Sequence, residues 1–345
     1  MMGLFESLFD IIYLSLVIAL GVRLVINDGR GSKFFGSMAI LLGLGDAFHL
    51  IPRVISHLSP KGFEAHAKAL SWGQFVTSIT MTVFYVMYYF YYREKSDDRA
   101  QSKKWIIISL ALIRIVLVML PQNNWGTLPG NYTMGIVRNI PFAIMGLLLV
   151  MWSYMHRDKE GLKNMSLLIF LSFLFYLPVV LFADKFPAVG ALMMPKTIAY
   201  VYIVLEGYKH YIKKMNIYDI SLTFLIMGLI GGVYFREFTR AYSYEASNHL
   251  GKVHVHTLVL GFILLLIIHL LTKGMDIKEI EKYIKIYVTG LILTITNMVV
   301  YGMYEILSQG EKTINIHALS GMAGIGHILL TIGLVTVMIK IRRRK

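Results

Sequence analysis

Long apolar runs alternate with short polar stretches along the whole chain. A helix needs about 20 mostly apolar residues to cross a bilayer, and eleven runs approach or exceed that length: 5–26, 34–56, 72–92, 104–121, 134–155, 166–183, 190–211, 218–236, 252–272, 283–306 and 315–340. The first run has no basic leader and no small-residue cleavage site, so we interpret it as a membrane helix rather than a signal peptide. The pattern predicts an all-α, polytopic membrane protein.

The composition supports this class and narrows the chemistry. The 345 residues are 56% hydrophobic and 16% charged, whereas a soluble domain carries roughly 25% charged residues. The chain has no cysteine, which excludes disulfides, iron–sulfur clusters, thiolate-ligated haem and cysteine-based zinc sites. A metal or haem would therefore need His, Met, Tyr or carboxylate ligands.

The formal net charge is +14, and its distribution predicts the orientation. If the N-terminus lies outside, the inner segments carry more than twice as many Lys and Arg residues as the outer segments. This bias favours an N-out, C-in chain, expected in a bacterial cytoplasmic membrane. The positive charge is then explained by topology and by contact with membrane lipid, so no nucleic-acid partner is expected.

The polar stretch Lys209–Asp219 is the best internal boundary. It separates a predicted seven-helix transmembrane domain, residues 1–212, from a predicted four-helix transmembrane domain, residues 218–345. The two parts carry different candidate chemistry, and nothing in the sequence indicates whether they act together.

Ionisable residues in the second and fourth predicted spans are the candidates in the seven-helix part. Asp46, His49 and Arg53 share one helix face, and Arg114 lies at nearly the depth of Asp46. An unpaired charge there is costly, so we predict an ion pair between Asp46 and Arg114. It is either functional or purely structural.

Further polar residues, Arg138 among them, cluster in the predicted outer half of this part. They indicate either a cavity that faces outside or cations that extend to the interface. A cavity would favour a small-molecule transporter or a receptor-like sensor.

Histidines distinguish the four-helix part. His254 and His256 begin its second span but project about 200° apart, and His317 begins its fourth span beside a groove of small residues. His327 lies deeper, and Arg236 lies at the level of the outer histidines. We therefore predict an outward-facing site for haem b, with Arg236 near a propionate.

A divalent metal is the competing prediction for the same region, with His254, His256 and Glu237 as its ligands. The third reading is that these histidines only pack and bind no cofactor. The haem and metal readings both predict a membrane protein of redox or sensing type.

Three resemblances add expectations. GDAFHLIPR at 45–53, LPQNNW at 120–125 and RNIPFAIMGLL at 138–148 resemble an uncharacterised bacterial seven-helix membrane family. HVHTLVLG at 254–261 and HALSGMAGIGH at 317–327 resemble an uncharacterised bacterial four-helix domain. They are also distantly similar to the histidine helices of haem–copper oxidase subunit I, a likeness that implies His254, His256 and His317 as ligands. No adjacent His pair is present for copper, so oxygen reduction is not expected.

A further alternative is a zinc-dependent membrane hydrolase. Seven helices with a His on the second resemble the alkaline ceramidase and adiponectin receptor superfamily. This chain has Gly45 at the offset where that family places a Ser. It carries Glu206 and His210 where the family has two histidines.

Overall fold

A computed structural model describes residues 2–183, 185–213, 216–274, 278–309 and 317–343. Its long elements are helices, and their positions match the predicted apolar runs. They are α1 (Met2–Ile26), α2 (Arg30–Leu58), α3 (Ala67–Ser96), α4 (Gln101–Met119), α5 (Tyr132–Met155), α6 (Met165–Phe182), α7 (Met193–Tyr211), α8 (Ile217–Ala241), α9 (His249–Leu271), α10 (Lys278–Ser308) and α11 (His317–Arg342).

Within the described ranges, nine helices are long and apolar enough to cross a membrane. Helices α3 and α4, which contain the predicted spans 72–92 and 104–121, are not among the nine. Helix α3 is rich in tyrosine, and α4 carries Lys103 and Lys104 as well as Arg114. The chain is thus an all-α protein with many apolar helices.

The contacts divide the chain into two compact units. One unit comprises Tyr13–Arg53 and Phe63–Lys213, and the other comprises Met1–Ile12, Val54–Gly62 and Lys214–Lys345. The division at Lys213 and Lys214 falls inside the predicted boundary stretch. We call the two units the seven-helix unit and the four-helix unit.

Aromatic side chains of α3 form the centre of the seven-helix unit. Buried tyrosine hydroxyls bond to buried serines, Tyr85 to Ser172 over 2.9 Å and Tyr88 to Ser153 over 2.8 Å. Without water, each buried hydroxyl needs such a partner. These bonds connect α3 to α6 and α5.

Helices α10 and α11 pack closely in the four-helix unit, and α9 packs between α8 and α10. Gly302 of α10 permits the α9 contact, because a Cβ there would collide with the backbone of Leu250. Helix α9 is not regular, since Thr257–Ile263 forms a π-helical turn directly after the HxH motif. Such turns occur often at functional sites.

Candidate functional site

Asp46 is a buried carboxylate in the seven-helix unit, only 6% exposed. The Tyr13 hydroxyl donates to its Oδ2 over 2.6 Å. Its backbone is held close to α3, because the Thr77 hydroxyl donates to the Gly45 carbonyl over 3.0 Å. A Cβ at Gly45 would collide with the Thr80 side chain. The close contact between α2 and α3 therefore positions Asp46.

Lys196 of α7 is the cation that acts on Asp46. It is 8% exposed, and its charge interacts with those of Asp46 and Arg114. Its ammonium lies 5.1 Å from the ring centre of Tyr176 and 5.0 Å from that of Tyr200. Two aromatic rings and one carboxylate thus surround this buried ammonium.

The predicted ion pair between Asp46 and Arg114 is not formed. The Arg114 Nη2 donates to Asn139 Oδ1 over 3.4 Å, and its Cζ lies 3.3 Å from the centre of the Phe142 ring. Asp46 has Tyr13 as its hydrogen-bond partner instead. The two side chains therefore lie in one cluster without a direct bond.

Arg114 is the most unusual member of this cluster. It is 2% exposed, and its Nε and Nη1 atoms have no hydrogen-bond partner among the described residues. The Asn139 oxygen that it reaches also accepts a bond from the Tyr176 hydroxyl over 2.8 Å. Two donor atoms of this buried guanidinium are therefore unsatisfied within the described part of the unit.

The other predicted polar residues of this unit have individual partners. Arg138 donates to Asn123 Oδ1 over 2.6 Å, and its Cζ lies 4.4 Å from the Trp125 ring centre. Asn123 also donates to two carbonyls at the end of α4. The LPQNNW motif thus ends α4 and holds Arg138. Arg53 lies 5.9 Å from the Phe63 ring centre, and His49 is half-buried.

His254 faces α8 in the four-helix unit. Its ring stacks on Phe235 with centroids 6.4 Å apart, beside Gly231 and Gly232. Its Nδ1 is buried and has no hydrogen-bond partner within the described part of the unit. The glycines leave space beside this ring.

The predicted metal ligands do not converge. His256 Nδ1 bonds to the Lys252 carbonyl of its own helix over 2.9 Å, while Glu237 pairs with Arg236 over 2.8 Å. Across the described ranges, no three His, Asp or Glu side chains are grouped closely enough to hold a metal ion. The triad of His254, His256 and Glu237 is therefore not assembled.

The roles of His317 and His327 as haem ligands stay predictions. His317 begins α11, but its side chain lies outside the part that the structure describes. His327 is exposed on α11, on the stripe that carries the exposed residues Ser320 and Gly324. The predicted role of Arg236 at a propionate also stays a prediction.

The residues named for the hydrolase alternative contact their near neighbours. Glu206 accepts a bond from Asn164 over 3.1 Å, and His210 lies 3.5 Å from Glu160. Gly45, at the offset of the family's Ser, packs against Thr80. These residues make local polar contacts rather than a zinc centre.

Sequence reasoning missed which groups act on Asp46. It placed Lys196 within the predicted span 190–211, among the polar residues of the outer half, but did not connect it with Asp46. The structure gives the corresponding span as Ala188–Tyr211, with a 3-10 turn, Pro187–Leu192, at its start. Tyr13 and Tyr200 looked like ordinary core residues, and the pattern contains no signal that distinguishes them.

These helices and buried polar side chains define a multi-helix integral membrane protein. Residues 213–344 match a family model described as "Protein of unknown function (DUF2871)". This match lies in the C-terminal segment of the four-helix unit and leaves out its segments Met1–Ile12 and Val54–Gly62. No curated protein and no solved structure matches the chain.

Proposed function

We propose that the seven-helix unit binds a small anion at Arg114 and carries it across a bacterial cytoplasmic membrane, in the N-out, C-in orientation that the charge distribution favours. The observation behind this proposal is the buried guanidinium, two donor atoms of which have no hydrogen-bond partner among the residues that the structure describes. Arginine suits this role because its planar group binds carboxylates and phosphates well.

The charge balance of the cluster also supports an anion. Arg114 and Lys196 are both buried, whereas Asp46 is the carboxylate that acts on Lys196. The groups that act most on Arg114 are three tyrosines and another cation, Arg138. An ion desolvated in a membrane is costly unless it is paired. A bound carboxylate or phosphate would restore neutrality.

Transport, rather than a fixed structural role, is supported by the position of the cluster and by the helices around it. Ionisable residues inside a bundle commonly mark a substrate pathway. Helices α2, α5 and α6 contain Pro52, Pro141 and Pro178. Each proline removes a backbone hydrogen bond and favours a bend. Such bends would let the bundle open toward either side.

The first experiment measures the thermal stability of the purified full chain with a panel of anions. The panel contains monocarboxylates, dicarboxylates, inorganic phosphate and chloride. A ligand at 100 times its Kd stabilises a protein by about 2.7 kcal/mol. The anion that raises Tm is then tested for uptake into proteoliposomes.

Arg114→Gln should abolish both the Tm increase and the uptake. The matched control is Arg157→Gln, since Arg157 belongs to the same unit and its Nη1 bonds to the Tyr154 carbonyl at the surface. If Arg114→Gln keeps the full response, the anion does not bind at Arg114. If no member of the panel changes Tm, the anion proposal fails.

We also propose, as a second candidate, that His254 ligates haem b or a metal ion in the four-helix unit. Its support is the buried Nδ1 without a hydrogen-bond partner among the described residues, the absence of side chains at Gly231 and Gly232 beside the ring, and the following π-helical turn. When bound, haem would supply electron transfer or gas binding. His254 would hold it on the α8 side.

The absorption spectrum of the purified protein tests this second candidate. A Soret band that is lost in His254→Ala but retained in His269→Ala would support it. His269 is a suitable control because it lies elsewhere in α9, against the Tyr218 ring. A band that survives His254→Ala would reject the assignment. Metal analysis of the same samples tests the metal form.

A further inference from the structure

A groove of about 480 Å³ runs along one face of α10 beside α11. It begins at Lys278, the first residue of α10, and extends to Thr289. At 1.5 Å per residue this is about 16 Å along the helix. The lining residues from α10 recur at helical spacing, so they form one continuous stripe.

The groove is cationic at the start of α10, has an apolar part further along, and ends at Thr289. Its first part carries Lys278, Lys282 and Lys285 together with one carboxylate, Glu281, which pairs with Lys285 over 2.7 Å. The lysines outnumber the carboxylate, so this end is cationic. Lys282 and Lys285 are exposed.

Ile286 and Leu329 line the groove further along. Leu329 belongs to α11, which lies antiparallel to α10. A Cβ at Gly290 would collide with the backbone of Gly326 and Leu330, and a Cβ at Gly333 would collide with Tyr287. The two helices are therefore in close contact and run in opposite directions. The apolar part therefore lies between two membrane helices, on the membrane side of the lysines.

We propose that this groove binds an anionic phospholipid. The lysines would hold the headgroup phosphate, and one acyl chain would lie over Ile286 and Leu329. The charge distribution along the chain assigns this end of α10 to the cytoplasm, where anionic lipids attract juxtamembrane basic residues. A free phosphate ion would use the lysines alone, whereas a lipid also uses the apolar part. The site is separate from Arg114 and independent of the anion proposed there.

Native mass spectrometry of the full chain in detergent tests the proposal, with phosphatidylglycerol as the probe and phosphatidylcholine as the neutral lipid. Phosphatidylglycerol should bind more tightly than phosphatidylcholine. Lys282→Gln with Lys285→Gln should weaken phosphatidylglycerol binding about tenfold, because each lysine contributes to headgroup attraction. The control pair, Lys159→Gln with Lys163→Gln, removes two exposed lysines of another inner segment and should leave binding unchanged.

A second variant tests the chain-binding part without changing the charge. Ile286→Gln should weaken phosphatidylglycerol binding several-fold, since it places a polar group under the acyl chain. Equal binding of the two lipids, equal loss in the control pair, or full binding by Ile286→Gln would overturn the proposal. Displacement of the lipid by millimolar inorganic phosphate would also overturn it and assign the groove to a free anion.

Discussion

Replacement of Arg114 by methionine should raise the stability of the ligand-free protein. Arg114 is 2% exposed, and its Nε and Nη1 have no hydrogen-bond partner in the described part of the chain. Methionine keeps a long, flexible side chain but removes the charge and the donors. If the guanidinium exists to bind an anion, its burial costs stability until that anion is present.

The structure indicates the size of this effect. Burial of an ion costs several kcal/mol even after relaxation. The compensating contacts are the Phe142 ring, which contributes about 2 kcal/mol, and the 3.4 Å bond to Asn139, which contributes about 1 kcal/mol. The positive charges of Lys196 and Arg114 also repel each other, which lowers the stability further. We expect Arg114→Met to stabilise the protein by about 1–3 kcal/mol.

Thermal unfolding of detergent-solubilised protein, without added carboxylate or phosphate, is the assay. At about 2 °C per kcal/mol for a chain of this size, Tm should rise by about 2–6 °C. Arg157→Met, a change at an exposed position of the same unit, should leave Tm unchanged. A fall in Tm of about 4 °C or more in Arg114→Met would mean that Arg114 is a structural partner, and the reasoning would be refuted.

Two further predictions concern stability. The Lys103 ammonium bonds to Asp98 and lowers the pKa of that carboxyl, so Asp98→Asn should cost about 1 kcal/mol at neutral pH. Asp98 stabilises the folded protein above its unfolded pKa of about 4, and this stabilisation is lost as the pH falls through the lowered folded pKa. A stability difference between the wild type and Asp98→Asn that is as large at pH 2 as at neutral pH would contradict this. Gly302→Val should lower the free energy of unfolding by about 3 kcal/mol or more, and lower Tm accordingly, because its side chain would meet the Leu250 backbone. Gly321→Val is its control, since a Cβ there meets nothing within 4 Å, and equal effects would argue against the packing.

The positions of the helices were predictable because membrane helices follow from length and apolarity. The predicted run 134–155 corresponds to Tyr132–Met155, and 218–236 lies within Ile217–Ala241. The predicted domains, 1–212 and 218–345, stay a prediction: the contacts divide the chain at Lys213 and Lys214, inside the predicted stretch, but they also group Met1–Ile12 and Val54–Gly62 with the C-terminal segment. Length and apolarity identify α3 less clearly as a membrane helix, because its tyrosines lower its hydropathy although they are buried in the core.

The arrangement of the candidate site was less predictable, for a geometric reason. Sequence spacing indicates depth along a helix and the angle around it, but it does not indicate which helices are neighbours. Asp46 and Arg114 were correctly recognised as buried charges, yet the carboxylate bonds to Tyr13. The spacing of His254 and His256 was correctly read as divergent, and the structure gives them different surroundings.

The error about the ion pair carries the functional argument. We assumed that buried charges neutralise one another within the protein, so one Asp and one Arg at equal depth had to pair. The structure adds Lys196 to the same cluster: its charge interacts with that of Asp46 and with that of Arg114, so two buried cations share one carboxylate. In hydrocarbon, such an excess is not relieved by water. Among the described residues, two donors of Arg114 have no hydrogen-bond partner, which a stable bundle alone does not require. The proposed anion would account for both the excess charge and these donors.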